Sequence, residues 1–367
     1  MNDNNKPGRG ARYLWAGLFA GSLLAAGPAV AQDKVIVAHA AGINGQAVEM
    51  LLQEFTAETG MPVQGITFSD TNYGAKMQLV ARAGNPAFDV ALGLALDVYA
   101  LTKPAKIYGP IDTSGWAPAT LAAMRDAKLI TEDYAVSQDT AALLVYSAKL
   151  TAGPSTWADF FDKTKFPGNR GMASGGLGVP INFEYAMIGS GVAPAKVNPI
   201  DYDAALKELS KLGGGLVLWD NAPKGIQDVV NGDTVMTWSY APAALSAIKA
   251  GQAIKIAAPP GTAVARQIAV VMAKAPDGTK AANAFLAWWF KPETQVKYSE
   301  YTNYGIVVPS KAVLSKIPKD MSRYMPFSGP NPENFRLLDY GYYSATEPNG
   351  QSNLAEALGR WSRFRAQ

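Results

Sequence analysis

Three features of the chain predict an α/β protein of two lobes with a cleft between them. Short apolar runs alternate with amphipathic stretches at the spacing of βαβ units, so each lobe should hold a mainly parallel sheet. Three later extended runs (135–138, 263–272 and 304–309) read as crossings between halves. No internal repeat or low-complexity linker separates the halves, and 367 residues with 48% hydrophobic and 17% charged content suffice for two packed cores.

The first 31 residues read as a cleavable signal peptide: basic Lys6, Arg9 and Arg12, an apolar run over 13–26, then Pro28 and the small-residue site Ala29-Val30-Ala31. Cleavage is expected after Ala31. Losing those three basic residues and Asp3 lowers the net charge from +3 to +1, which leaves no electrostatic case for nucleic acid or an anionic membrane. Export permits disulfides, yet the chain has no cysteine, so thiolate zinc sites, iron–sulfur clusters and cysteine nucleophiles are excluded.

Residues 34–39 (KVIVAH) read as a buried strand and 40–45 (AAGING) as a loop of small residues. Residues 46–59 form a helix with Val48, Leu51, Leu52 and Phe55 on one face, closed by Gly60. A strand over 62–68, a helix over 73–82 and a strand over 88–94 continue the alternation. The first crossing at 135–138 leads to a strand over 141–146. Residues 156–161 (TWADFF) form a short capped helix, and 169–173 a strand. A glycine-rich loop, SGGLGVP at 174–180, then opens a helix over 181–188. Free backbone N–H groups at such a helix start suit an anion, although the loop lacks the Lys-Ser/Thr of a P-loop and the third glycine of a dinucleotide fingerprint.

A helix over 199–212, a strand over 216–219 and a loop and helix over 220–230 follow. Residues 234–238 read as a strand ending in Trp238, Ser239 and Tyr240, with Pro242 starting the next helix. In open α/β sheets ligands sit beyond the carboxyl ends of strands, which puts these three residues at a cleft. A strand over 254–258 and the second crossing over 263–272 come next. Asp277 should cap a helix running through Phe290, in which Trp288 and Trp289 are core residues; Pro292 starts another. The third crossing follows, and 353–364 form an amphipathic helix with a basic end. Lobe 1 is therefore 32–137 plus 267–367, and lobe 2 is 138–266.

Catalytic chemistry finds little support. His39 is the single histidine and reads as a core or cleft-lining residue. No GxSxG elbow is present. Tyr342-Tyr343 suggests an iron-binding alternative, beside Arg336 and Asp339 read as surface residues.

The chain resembles the periplasmic solute-binding proteins of ABC importers, in particular the spermidine/putrescine-binding branch. The resemblance rests on the order and spacing of LLQEFTAETG at 51–60, Phe88-Asp89-Val90, TWADFF at 156–161 with Phe166-Pro167-Gly168, Asn231-Gly232-Asp233, Met236-Thr237-Trp238, and Tyr304-Gly305 with Pro309-Ser310. It implies a type II periplasmic-binding-protein fold that closes on one small-molecule solute and delivers it to a membrane permease. It also implies a monomer that is not an enzyme and holds no cofactor.

The resemblance places the cleft at 40–44, 94–96, 178–182, 265–267 and 304–306 with Trp238. Asn44, Leu94, Leu96, Gly178, Asn182, Trp238, Arg266, Gln267 and Tyr304 are the site residues so implied, with Tyr240 beside Trp238 and Asp139 and Thr140 beyond the first crossing. Polyamine binders carry carboxylates and aromatic rings at several of these places. Here Gly178 and Ile181 stand in place of family acids, Gln267 stands in place of another, and Leu94 and Leu96 replace a polar and aromatic pair. The expected solute is therefore a carboxylate, a phosphonate or an amino acid, with a polyamine, a ferric ion or a secreted-enzyme substrate as alternatives. Trp238 would pack against it, Asn182 and Gln267 would hydrogen-bond it, and the Gly178 loop would hold its acidic group. Strand alternation leaves it open whether Arg266 faces the cleft, since inward Ala265 and Gln267 would turn it away. Asp139 or Glu184 would meet an amine.

Overall fold

The structure is a computed structural model; it describes residues 34–366 apart from 177, 309, 323, 328–330 and 349. The proposed signal peptide lies outside the described residues. In chain order the strands are β1 (Val35–Ala40), β2 (Val63–Phe68), β3 (Val90–Ala95), β4 (Tyr108–Gly109), β5 (Ala135–Ser147) and β6 (Arg170–Ala173). They continue with β7 (Leu216–Trp219), β8 (Met236–Tyr240), β9 (Ile254–Ala257), β10 (Thr262–Met272) and β11 (Phe335–Leu337). One continuous path runs β2-β1-β3-β10-β5-β8-β6-β7.

At each end of that path the sheet is parallel, as the βαβ alternation requires: β1 with β2 and β3, and β6 with β7 and β8. Between them β10 and β5 run antiparallel to each other and to their outer neighbours β3 and β8. These two long strands carry the chain from one lobe to the other. The sequence reads 135–138 and 141–146 as a crossing followed by a strand; they form one strand, because Asp139 and Thr140 stay paired with Arg266 and Ala265.

Two separate cores fix where the lobes lie. Phe55, Phe88, Phe285, Trp288 and Trp289 centre the first, together with Val136 and Ile268 from the outer ends of the crossing strands. Trp157, Phe160, Phe183, Trp238 and Trp361 centre the second. Along β5, Ala142 and Leu144 face this second core while Ala141, Leu143 and Val145 face a third cluster with Ile226 and Leu245, the period-two alternation of a strand covered on both sides.

Two readings need correction. Leu338, Tyr340, Tyr343 and Trp361 pack into the second core, so the C-terminal segment lies against the lobe of residues 138–266, not the first. The reason is local: β11 pairs with Thr262–Val264 at the start of β10, ahead of the point where that strand changes lobes. Asp277 is not a cap. The helix Thr279–Trp289 begins after Gly278, whose φ is 98°, and Asp277 donates its N–H to buried Asp89 at 2.9 Å.

The third crossing passes close to lobe 2. Val307 exchanges both backbone hydrogen bonds with Asp139, at 2.8 and 3.2 Å. Gly305 runs so near the start of the helix Ala241–Lys249 that a Cβ there would lie 2.3 Å from the Pro242 nitrogen. Since backbone cannot yield as a side chain does, Gly305→Ala should lose ~3 kcal/mol of unfolding free energy in urea titration; an unchanged midpoint would show that the crossing has slack.

Candidate functional site

All three crossings meet at Asp139 and Arg266. They are register partners on β5 and β10, and the guanidinium grips the carboxylate in bidentate fashion, Nε to Oδ1 and Nη2 to Oδ2, both at 2.8 Å. Asp139 is wholly buried, whereas the Arg266 side chain keeps 17% exposure. Burial pushes the Asp139 carboxyl up, and the facing guanidinium opposes that rise. Arg266 Nη1 is left without a hydrogen-bond partner among the described residues. The ring hydroxyl of Tyr340 accepts the Arg266 backbone N–H at 2.7 Å, which brings the C-terminal segment against the same strands.

Around this pair the two lobes approach each other. Leu96 is half-buried and touches both main cores. It starts the helix Leu96–Thr102, whose first turn holds Asp97. Asp97 is 3% exposed, and its Oδ1 has no partner among the described residues. Burial raises its pKa from 3.8 to about 6, although backbone N–H groups of the helix turn pull the other way. The negative field of Asp97 reaches Tyr340. A cavity of about 540 Å3 opens beside them, lined by Leu96, the 194–198 segment and residues 336–341.

The remaining expected residues fall into distinct places. Trp238 is fully buried; its indole N–H donates to Asn182 Oδ1 at 2.8 Å, and Asn182 Nδ2 donates to the Ala173 carbonyl at 2.8 Å. The structure thus puts Trp238 and Asn182 in the core of lobe 2, with their polar groups spent on each other and on the end of β6, where the sequence reading had them against the solute. Tyr240 packs edge-on against Trp238 at 5.5 Å and is half-exposed, so it is the aromatic of that strand nearer the cleft. Leu94 is 1% exposed within the first core. Thr140 donates its hydroxyl to the Gly305 carbonyl at 3.0 Å. Gln267 accepts from Gln138, which in turn accepts from Tyr298 at 2.6 Å. Asn44 and Tyr304 are half-buried, one in the first turn of the helix Gly42–Thr59 and the other at a φ of 59°. Gly178 starts its helix where a Cβ would lie 2.2 Å from that of Ala173. Ahead of it Gly175 and Gly176 are exposed, and the loop is held by a 3.0 Å bond from the Trp361 indole N–H to the Ser174 carbonyl.

Neither carboxylate expected to meet an amine is free. Glu184 is fully buried and takes Arg336, the Tyr343 hydroxyl at 2.8 Å and the Asn198 side chain. Arg336, expected on the surface, is therefore an interior partner with 17% exposure. Asp339 is exposed and caps the helix Tyr340–Ser344. Tyr342 accepts the Ile200 N–H at 3.1 Å, and His39 pairs with Glu49 at 2.8 Å. Among the described residues no group of three His, Cys, Asp or Glu could hold a metal.

The sequence reading did not single out Asp97, Asn198 or Tyr340, and it placed Arg336 on the surface. Only Asp97 carried a local signal, an acid directly after the apolar run of β3.

This architecture is that of a two-lobed binding protein, and the comparisons agree. The sequence profile of the bacterial extracellular solute-binding proteins matches residues 50–323, and the chain belongs to that family. The gamma-aminobutyric acid-binding protein of Pseudomonas aeruginosa is 29% identical over 202 residues, 54% of this chain and 55% of that one; the match thus spans about half of that relative. A GABA receptor, Atu4243, superposes with a TM-score of 0.76 at 20% identity, covering 91% of this chain and 98% of that one. An ABC transporter protein of Rhodopseudomonas palustris CGA009 does so at 0.75 and 26%, covering 91% and 99%. The fold is the two-lobe, type II-like one of periplasmic binding proteins.

Asp97 makes stability depend on pH in a defined direction. Its folded pKa of about 6 stands above the unfolded 3.8, so the protonated form is favoured by folding, and the stability this gives is lost as pH rises through 6. Asp97→Asn should therefore raise the unfolding free energy at pH 8 by up to about 3 kcal/mol and bring no gain at pH 3.5. Calorimetry at both values checks this; equal gains would show that charge burial is not the cause.

Proposed function

We propose that this chain is the exported binding component of an ABC importer, that its signal peptide is cleaved after Ala31, and that it works in the periplasm as a monomer. It captures one small zwitterionic solute of amino-acid type by lobe closure, performs no covalent chemistry on it and passes it to a membrane permease. The observation that carries this reading is the Arg266 guanidinium, clamped on buried Asp139 where the lobes join, with Nη1 unpaired. A fixed guanidinium edge suits a planar carboxylate. Asp97, next to cavity-lining Leu96 and with its Oδ1 unpaired among the described residues, suits the ammonium group.

The relative named for gamma-aminobutyric acid fits that pair of charges. A polyamine fits less well. A long dication needs two acidic partners, and Asp139 and Glu184 are already consumed by arginines. Tyr240 and Leu96 would supply the apolar walls. The glycine loop before Gly178 remains a second anion-binding candidate in this reading.

A thermal-shift screen of the protein against 4-aminobutanoate, other amino acids, carboxylates, phosphonates, putrescine, spermidine and ferric ion tests it. A ligand at 100 times its Kd stabilises by ~2.7 kcal/mol. Arg266→Ala should weaken the best amino acid by roughly 10- to 100-fold, the loss of a hydrogen bond to a charged group. Because that change leaves Asp139 buried and unpaired, the double variant Arg266→Gln/Asp139→Asn serves as the folded control. Unaltered affinity in the double variant, or a polyamine as the sole hit, would refute the assignment.

A further inference from the structure

One corner of the 540 Å3 cavity carries chemistry that the amino-acid head group does not use. Glu184 projects from the helix Gly178–Gly189 and is saturated by Arg336 Nη2, the Tyr343 hydroxyl and the Asn198 side chain. Two atoms of those partners remain buried and unpaired among the described residues: Arg336 Nε, a donor, and Asn198 Oδ1, an acceptor. Both residues line the cavity. Arg336 and Asn198 are brought together by the one carboxylate that both hold.

The electrostatics select what this corner takes. Glu184 and Arg336 pair with each other, and what distinguishes the corner is its two unmet atoms, one donor and one acceptor. A group that both accepts and donates, a hydroxyl or a primary amide, satisfies the two atoms together. The walls leading there are part apolar, from Leu96, Pro194, Val197 and Leu338, with exposed Asp339 also lining the cavity. Tyr340 lines the cavity, and its hydroxyl accepts the Arg266 backbone N–H, which ties that wall to the strand of the charged pair.

We propose that the Arg336–Asn198 corner is a second recognition point, for an uncharged hydroxyl or primary amide at the far end of a solute longer than 4-aminobutanoate. This rests on the reading that the solute lies between the lobes with its carboxylate at Arg266. The corner reads the tail, and the charged pair reads the head.

Two matched probe pairs test it by calorimetric titration of the protein: glutamine against norleucine, and N-(1-deoxyglucityl)-4-aminobutanoate against N-hexyl-4-aminobutanoate. In at least one pair the polar member should bind about tenfold tighter, and Asn198→Ala should bring that ratio close to one. Arg336→Lys, which keeps a charge for Glu184 but lacks the Nε–H, should do the same and guards against a folding defect in the first variant. Equal affinities within both pairs, or a ratio that neither variant moves, overturn the proposal. If none of the four probes binds, the Arg266 reading has failed, and the corner is judged alone. Glucitol or propanamide at millimolar concentration should then shift the Nε–H resonance of Arg336 in a nitrogen-15 NMR spectrum. A shift supports the corner as a recognition point, and no shift overturns it.

Discussion

The ion pair between Asp139 and Arg266 is the constraint on which the rest of the arrangement depends. Three chain segments pass between the lobes, and each is tied to this pair: β5 and β10 through register, and the third crossing through the two backbone bonds of Val307 with Asp139. A buried ion pair adds little net stability, because desolvating two charges offsets most of their attraction. What it supplies is position. Removing either partner strands a charge, so the two strands cannot slip in register without breaking the bidentate contact. The cleft is thereby given a fixed floor while each lobe keeps its own core.

That division explains how the lobes can move as bodies. The first core draws on Phe55, Phe285 and the tryptophans at 288 and 289; the second draws on Trp157, Trp238 and Trp361. Leu96 is packed against both, and Tyr340 joins the C-terminal segment to β10 through one hydrogen bond. On the proposed reading, relative motion of the lobes falls to the crossing strands. Hinge closure of this kind repacks few side chains, so a ligand's differential contacts can set the balance between open and closed forms.

Much of the fold was legible in the sequence, and the reason is periodicity. Residues 46–59 and 353–364 bury one face each and are helices in the structure, and the runs read as strands at 34–39, 62–68 and 216–219 correspond to β1, β2 and β7. Local rules of this kind also gave Gly60 its left-handed φ of 72° and Thr156 its capping box. The site was less legible because its partners are remote in sequence. Arg266 meets Asp139 across 127 positions, and Arg336 meets Glu184 across 152. Trp238 shows the converse: the strand was read at 234–238 and runs over Met236–Tyr240, and the burial of its tryptophan depends on Asn182, contributed by a helix 56 positions away. The placement of the C-terminal segment failed for the same reason, since only the pairing of β11 with β10 decides which lobe it joins.

The charges at the cleft follow one pattern. Asp139 and Glu184, two wholly buried acids, are each paired with an arginine that keeps some exposure. Asp97, beside cavity-lining Leu96, has no such partner among the described residues, and burial raises its pKa to about 6. An unpaired buried carboxylate persists where its surroundings compel it, and here it lies on lobe 1 while Arg336 and Asn198 belong to the opposite wall. The groups with unmet hydrogen bonds are therefore divided between the lobes. A solute touching one wall alone satisfies part of them in the open form; satisfying all of them requires the walls to approach. Closure is then favoured by a ligand that carries the full set of complementary groups, and a partial match gains less from closing than it does from binding to one wall. On the proposed reading, selectivity therefore resides in the closing step.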